Sequence, residues 1–491
     1  MKSIKLILLL CVAFQVKAQD NVFLSRDFWA AKPSVAEINQ KISEGNDPAE
    51  ANPALFDGVT IAINSDAPNE SIIHLIQQKG NDVNKLTHDG RTYIFWAAYR
   101  GNSDLMEYLL KNGARTNFLD NHGYSVLNFA ANAGTKNTKV YDLCLANGAN
   151  LKTDLNLEGA NALLLAAPKD NDFEITKYFT SKGLSENSTD YKGNGIFNYV
   201  ARTGNTQLMD KLLAKGIKGN DQAFLFASFG GGRGSANGLE VYKYLESKGL
   251  NPKNANQDGQ TPLHIVAGRS KDLPVINYLL DKGLTVDTED NNGNTPFTNA
   301  ASRNSLEIVQ LLANKTKQLN HANKKGQTAL TNAVQFNTEE VVAFLIEKGA
   351  KTNVADASGN NLGYYLIEGF SPRSKDQFST KFKLLNANKK INLFEPQGNG
   401  STWYHLATEK NNLDLLKLAD GTKVDINAKN TDGNTALILA AMKAQDDTIL
   451  KYLLQQGANK SLTTEFGETA FDLAQENELL TKNKVSIDFL K

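Results

Sequence analysis

The sequence predicts an all-α solenoid of helix–turn–helix units joined by short β-hairpin loops. Two phase-locked glycine series and one recurring turn sequence predict it. Glycines close an apolar, helix-like run at Gly80, Gly113, Gly148, Gly183, Gly216, Gly249 and Gly283, in steps of 33, 35, 35, 33, 33 and 34 residues. Gly349 keeps the phase two periods after Gly283, and Gly421 and Gly457 carry the series on towards the C-terminus. A second series, Gly90, Gly123, Gly159, Gly193, Gly259, Gly293, Gly326, Gly359, Gly433 and Gly467, runs in step with the first. A fixed period of this length marks stacked supersecondary units, each too small to bury its own apolar face.

Each unit reads the same way from its turn onward. Asp258–Gly259 is a tight-turn dipeptide, because glycine accepts positive φ without a Cβ clash. The Thr261 hydroxyl can cap a first helix, and Pro262 suits the first helical position, where no N–H partner is lost. Leu263, Val266 and Ala267 share one face at helical spacing. Val275, Ile276, Leu279 and Leu280 form the apolar stripe of a second helix, with Lys282 near its negative end and Gly283 placed for a left-handed cap. Thr295–Pro296–Phe297, Thr328–Ala329–Leu330, Thr435–Ala436–Leu437 and Thr469–Ala470–Phe471 repeat this order. Alanine pairs at Ala97–Ala98, Ala130–Ala131, Ala166–Ala167, Ala300–Ala301 and Ala440–Ala441 give first helices a small face for close packing.

On these residues the chain resembles the ankyrin-repeat family. The resemblance is most specific at Asp89–Ala114, Asp258–Gly283, Asn292–Ala313 and Asp432–Ala458, and it covers about thirteen units from Asp27 to the end. The full Thr-Pro-Leu-His tetrapeptide stands once, at Thr261–His264; Asn128, Asn198, Thr298 and Thr331 replace the histidine elsewhere. The resemblance implies that His264 is structural. It also implies a concave surface lined by hairpin tips and the outer residues of first helices, where protein partners bind.

The first residues address the chain out of the cytoplasm. Lys2 and Lys5 precede an apolar run from Leu6 to Val16, and Val16–Lys17–Ala18 offers a cleavage site. That run is shorter than the roughly 20 residues needed to span a bilayer. Residues 1–18 are therefore expected to be a signal peptide, 19–52 an N-terminal capping repeat, 53–464 the array, and 465–491 a C-terminal capping repeat. The product is expected to be periplasmic or secreted.

Composition excludes several functional classes. Apolar residues make up 41% of the 491, enough for a core. Lys and Arg number 53, as do Asp and Glu, and loss of residues 1–18 leaves a net charge of −3. A neutral chain is unsuited to bulk attraction of nucleic acid or an anionic membrane. Of two cysteines only Cys144 would remain, in an apolar stripe, which excludes an intramolecular disulfide. The histidines, His74, His88, His122, His264, His321 and His405, are dispersed, and none pair at helical metal spacing. No catalytic residue, cofactor or metal is expected.

Departures from the period locate the surfaces of interest. In the seventh repeat the hairpin loses about six residues and the turn between helices gains about as many, as Gly230–Gly238. Gly231, Gly232, Arg233 and Gly234 could form an anion-binding nest, although the P-loop Lys-Ser/Thr ending is missing. A plain surface loop is the competing reading. Smaller extensions at Asn132–Thr138, Pro168–Phe173 and Gly369–Gln377 fall at the same point of the unit. Basic and aromatic residues recur at the ends of first helices: Trp96, Tyr99, Arg100, Lys169, Arg202, Arg269, Arg303, Phe336 and Lys443. Arg and aromatic side chains are common interface anchors. They point to a non-enzymatic, monomeric scaffold that takes an acidic segment of a protein partner outside the cytoplasm. Two alternatives are a secreted effector that binds proteins of another cell and an anion- or nucleotide-binding enzyme built on the glycine loop. The irregular seventh repeat is also expected to be a weak joint. Amide exchange should be faster across residues 217–248 than in the flanking repeats, and uniform protection would refute this.

Overall fold

The computed structural model describes residues 21–231 and 236–491. The signal-peptide expectation on residues 1–18, and Gly232, Arg233 and Gly234 of the proposed nest, lie outside the described residues. The chain divides into two compact units. The N-terminal unit runs to Ala201 and includes Asn205–Asn220; the C-terminal unit comprises Arg202–Gly204 and Asp221–Lys491. The division falls in the irregular seventh repeat.

Both units are built from pairs of short helices. In the N-terminal unit, helices such as Tyr93–Tyr99 with Ser103–Lys111 and Val126–Ala133 with Thr138–Ala146 follow the expected order. Its first turn is closed by Phe23 and Trp29, both fully buried, with the Trp29 indole donating to the Phe23 carbonyl at 2.8 Å. In the C-terminal unit the pairs include Pro262–Arg269 with Leu273–Asp281, Pro296–Arg303 with Leu306–Ala313, and Ala329–Phe336 with Glu339–Glu347. First helices pack on the first helices of neighbouring repeats, where Ala267, Ala300, Ala301 and Ala333 are fully buried.

The local chemistry explains the boundaries. Pro262 opens its helix, and the Thr261 backbone N–H donates to His264 Nδ1 at 3.1 Å, a capping box closed by an imidazole. Val275, Ile276 and Leu279 are fully buried, and Gly283 ends the repeat at φ +87°. The tip glycines serve a second need. A Cβ on Gly326 would lie 2.6 Å from the Ala357 nitrogen of the next tip, so no side chain fits there.

Two expectations need correction. Among the described residues no β-strand forms; the hairpins are hydrogen-bonded turns, with isolated bridges at Ala51–Asp57, Ala322–Thr328 and Thr463–Thr469. Successive tips are joined by single backbone bonds, such as Asn291 N to Asp258 O and Lys324 N to Asn292 O, too few for a ladder. One side chain organises each turn. Asn256 accepts from the backbone of Asp258 and Gln260; Asp290 does the same for Asn292 and Asn294. Finally, much of the Gly369–Gln377 extension is helical: a single 3-10 turn, Pro372–Ser374, leads into a 13-residue second helix, Lys375–Ala387.

Repeats are stapled together at the C-terminal ends of first helices, whose last carbonyls have no partner within the helix. The buried Asn304 amide donates to Ala267 O and Ser270 O of the preceding repeat at 2.7 and 2.9 Å. Asn337 does the same to Ala301 O and Asn304 O, and Asn477 to Ala441 O and Ala444 O. After helix Ala329–Phe336 the long helix supplies different donors. Gln377 reaches Asn337 O at 3.1 Å, and the buried Lys381 ammonium reaches Val334 O at 2.7 Å.

Burial pushes the Lys381 ammonium from its ordinary value of 10.5 down to about 8. Between those values the unfolded chain binds a proton that the folded chain has released, so this group makes stability rise with pH across that window. Urea unfolding between pH 8 and 10 should show that rise relative to Lys381→Met. Parallel pH profiles for the two proteins would refute it.

Candidate functional site

Most of the residues marked by the sequence stand at one position of their repeat, at or just past the last turn of its first helix. Arg269, Arg303, Phe336 and Lys443 lie eight residues after the capping threonines Thr261, Thr295, Thr328 and Thr435; Arg100 lies eight after Thr92, and Lys169 eight after Asn161. A basic side chain there faces the negative end of a helix, which stabilises it by roughly 0.3–1 kcal/mol. The recurrence of basic residues thus has a local cause, and what distinguishes the members is what else they touch.

In the N-terminal unit the column is largely committed. Trp96 is a correction: it is 6% exposed, and its indole donates to Thr87 Oγ1 at 2.9 Å, so it belongs to the core. It edges onto Phe129, whose ring carries the Arg91 guanidinium at 4.2 Å from its centroid. Arg91 in turn pairs with the buried Asp120 at 2.7 Å and with Asp89 at 3.1 Å. Tyr99 stacks on Phe129 at 5.3 Å and is the exposed member of this shelf, at 39%. The Arg100 guanidinium is paired with Asp66 of the preceding repeat. Lys169 donates to Asn132 O and Ala133 O at 3.0 and 3.1 Å, closing helix Val126–Ala133, and burial lowers its pKa.

In the C-terminal unit the column divides by its partners. Lys443 meets Glu409 at 3.4 Å. Lys410, which the sequence reading missed although it stands eight residues after the capping Thr402, meets Glu368 at 2.9 Å. Arg202 donates through Nε to Gly230 O at 3.0 Å. Arg269 and Arg303 have no acidic partner among the described residues. Their guanidiniums instead lie over phenyl rings, Arg269 at 5.8 Å from the Phe229 centroid and Arg303 at 5.1 Å from that of Phe336. Phe336 is 46% exposed. Of the proposed nest, Gly231 is the described member; it lies against the Arg202–Thr203 backbone.

The other chemistry-bearing residues are structural. His405 Nδ1 takes the Thr402 N–H at 3.0 Å and its Nε2 meets Asn434 O of the next repeat at 2.9 Å. Burial lowers the pKa of His264 and of His405. Asn128 reaches across to Asp154 O at 2.8 Å, whereas the Thr298 and Thr331 hydroxyls bond within their own repeats. Cys144 is buried, with its thiol pushed up to about 12. Among the described residues no helix is long and apolar enough to cross a membrane.

A family model for ankyrin repeats matches residues 60–153, 234–321, 267–356 and 404–485, more than half of the chain. The chain belongs to the ankyrin-repeat family. It is similar to an ankyrin repeat protein of fowlpox virus, 32% identical over 146 residues, which is 29% of this chain and 20% of the viral protein. It is also similar to a palmitoyltransferase of Saccharomyces uvarum, 28% identical over 183 residues (37% of this chain, 21% of the yeast protein). An ankyrin repeat domain-containing protein of monkeypox virus is 41% identical over 54 residues, 11% of this chain and 12% of that one. The chain thus spans about a fifth or less of the length of these relatives. Ankyrin repeats form protein-interaction scaffolds, and proteins of this family are usually non-enzymatic.

The Arg91 arrangement under the Tyr99 shelf gives a stability test. Removing the guanidinium leaves the Asp120 carboxylate buried and unpaired, at a cost of about 3–5 kcal/mol. Arg91→Met should lower the urea midpoint accordingly. Adding Asp120→Asn should restore much of the loss, because the amide oxygen can still accept from His122 and Tyr124.

Proposed function

We propose that this ankyrin array is a non-enzymatic scaffold that captures an acidic segment of a protein partner outside the cytoplasm. One observation carries the acidic preference: among the described residues Arg269 and Arg303 are held on phenyl rings without a carboxylate partner, while Lys410, Lys443 and Arg100 each have one. A guanidinium held on a ring loses less freedom when a carboxylate docks on it bidentately. The exposed Phe336 supplies aromatic contact area beside these arginines.

The proposed compartment rests on the sequence pattern of residues 1–18, whose charged start, apolar run and small Ala18 fit an export signal. A periplasmic scaffold and a secreted effector differ in where the protein accumulates. Affinity capture from the periplasmic fraction should co-purify a discrete partner with the natural protein. Arg269→Glu with Arg303→Glu should reduce that capture at least tenfold with the fold intact by circular dichroism. Unchanged capture would refute the proposed surface, and accumulation of the protein in the medium would favour the effector.

A further inference from the structure

We infer that the C-terminal unit selects an extended acidic segment whose side chains keep step with the repeats: apolar, acidic, acidic and apolar groups at every third residue. This deepens the reading above and rests on it. The four first helices Ala223–Phe229, Pro262–Arg269, Pro296–Arg303 and Ala329–Phe336 pack in sequence, each on the next. Their last residues present, in that order, Phe229, Arg269, Arg303 and Phe336. Arg269 and Arg303 therefore end neighbouring helices in the middle, each guanidinium leaning outward over the exposed or half-buried phenyl ring beyond it.

Spacing turns this order into a register. Packed helix axes lie about 8–10 Å apart. An extended chain in the polyproline II conformation advances about 3.1 Å per residue and returns every third side chain to one face, so it passes one helix end roughly every three residues. Carboxylates that reach Arg269 and Arg303 together are then three residues apart, and the groups facing Phe229 and Phe336 lie three residues beyond them on either side. A helical partner, rising about 1.5 Å per residue, would need its carboxylates about two turns apart.

The local charge also limits the length of the anionic segment. Past Phe336, the first-helix ends at Lys410 and Lys443 carry their own carboxylates, Glu368 and Glu409. A long polyanion such as nucleic acid or a sulfated polysaccharide would run from two open guanidiniums into ends already neutralised. A short acidic stretch flanked by apolar side chains matches the four helix ends from Phe229 to Phe336.

The test uses the full mature protein and fluorescein-labelled, serine-based peptides, read by anisotropy at low salt. One peptide carries leucines at both ends and two glutamates, with all four at every third position. Its isomer has the same composition with the glutamates adjacent. The spaced peptide should bind about tenfold more tightly, and Arg269→Gln or Arg303→Gln should each abolish the difference. Equal affinity for the two peptides, no binding of either, or equally tight binding of a heparin fragment would overturn the register. If the peptides bind alike while Arg269→Glu with Arg303→Glu still loses the natural partner, the register fails and the acidic surface stands. If partner capture survives that double variant, the surface itself fails.

Discussion

The structure depends on how the C-terminal end of each first helix is completed. Those helices are short, many with seven or eight residues, so their unsatisfied last carbonyls are a large share of their backbone. The next repeat supplies the missing donors: the Asn304, Asn337 and Asn477 amides, the Thr135 hydroxyl on Ala98 O and Tyr99 O, and the Lys381 ammonium on Val334 O. A repeat taken alone would leave these carbonyls to water and its alanine face uncovered. Stability within each unit is accordingly shared between neighbours, and a lost staple acts on the repeat before it as well as on its own.

The same helix ends produce the electrostatics of the candidate surface. A neutral chain shows a basic column because one face of each helix end attracts cations, while the donors beneath it come from the neighbour. Most of that charge is spent internally. Lys169 lies along two carbonyls, and Arg100, Lys410 and Lys443 face carboxylates of preceding repeats. Exposed pairs of this kind contribute little to stability, commonly below about 1 kcal/mol. Their larger effect is to cancel local potential, whereas Arg269 and Arg303 meet no carboxylate among the described residues and lie over phenyl rings instead.

Much of this was legible in the sequence because the determining chemistry is local. Glycine spacing, Thr-Pro starts and alanine pairs act within one repeat and could be read without the fold. The shared position of Arg269, Arg303 and Phe336 in the repeat was legible for the same reason. What escaped depends on contacts about one repeat away. Asn337 reads as a loop residue until its amide is seen on Ala301 O, and Lys381 reads as a surface charge in a helix. Trp96 looked like an anchor because its position in the helix suited one, but the hydrogen bond to Thr87 and the packing on Phe129 draw it inward. Glu368 and Glu409 were overlooked as neutralising groups, since their partners lie 42 and 34 residues onward in the chain.

The contrast between compensated and open helix ends also gives a physical route by which such an array changes its ligand. The scaffold requires a staple and an alanine face at every junction, and neither involves the outward side chain at the last turn. That side chain is constrained only by the weak preference for positive charge, which Phe336 shows can be set aside. A glutamate one repeat away is then enough to close a basic position, as Glu409 does for Lys443, without disturbing the core beneath. On the proposed reading, specificity resides in the pattern of residues left uncompensated along the column, while the fold is held by groups that such a partner does not touch.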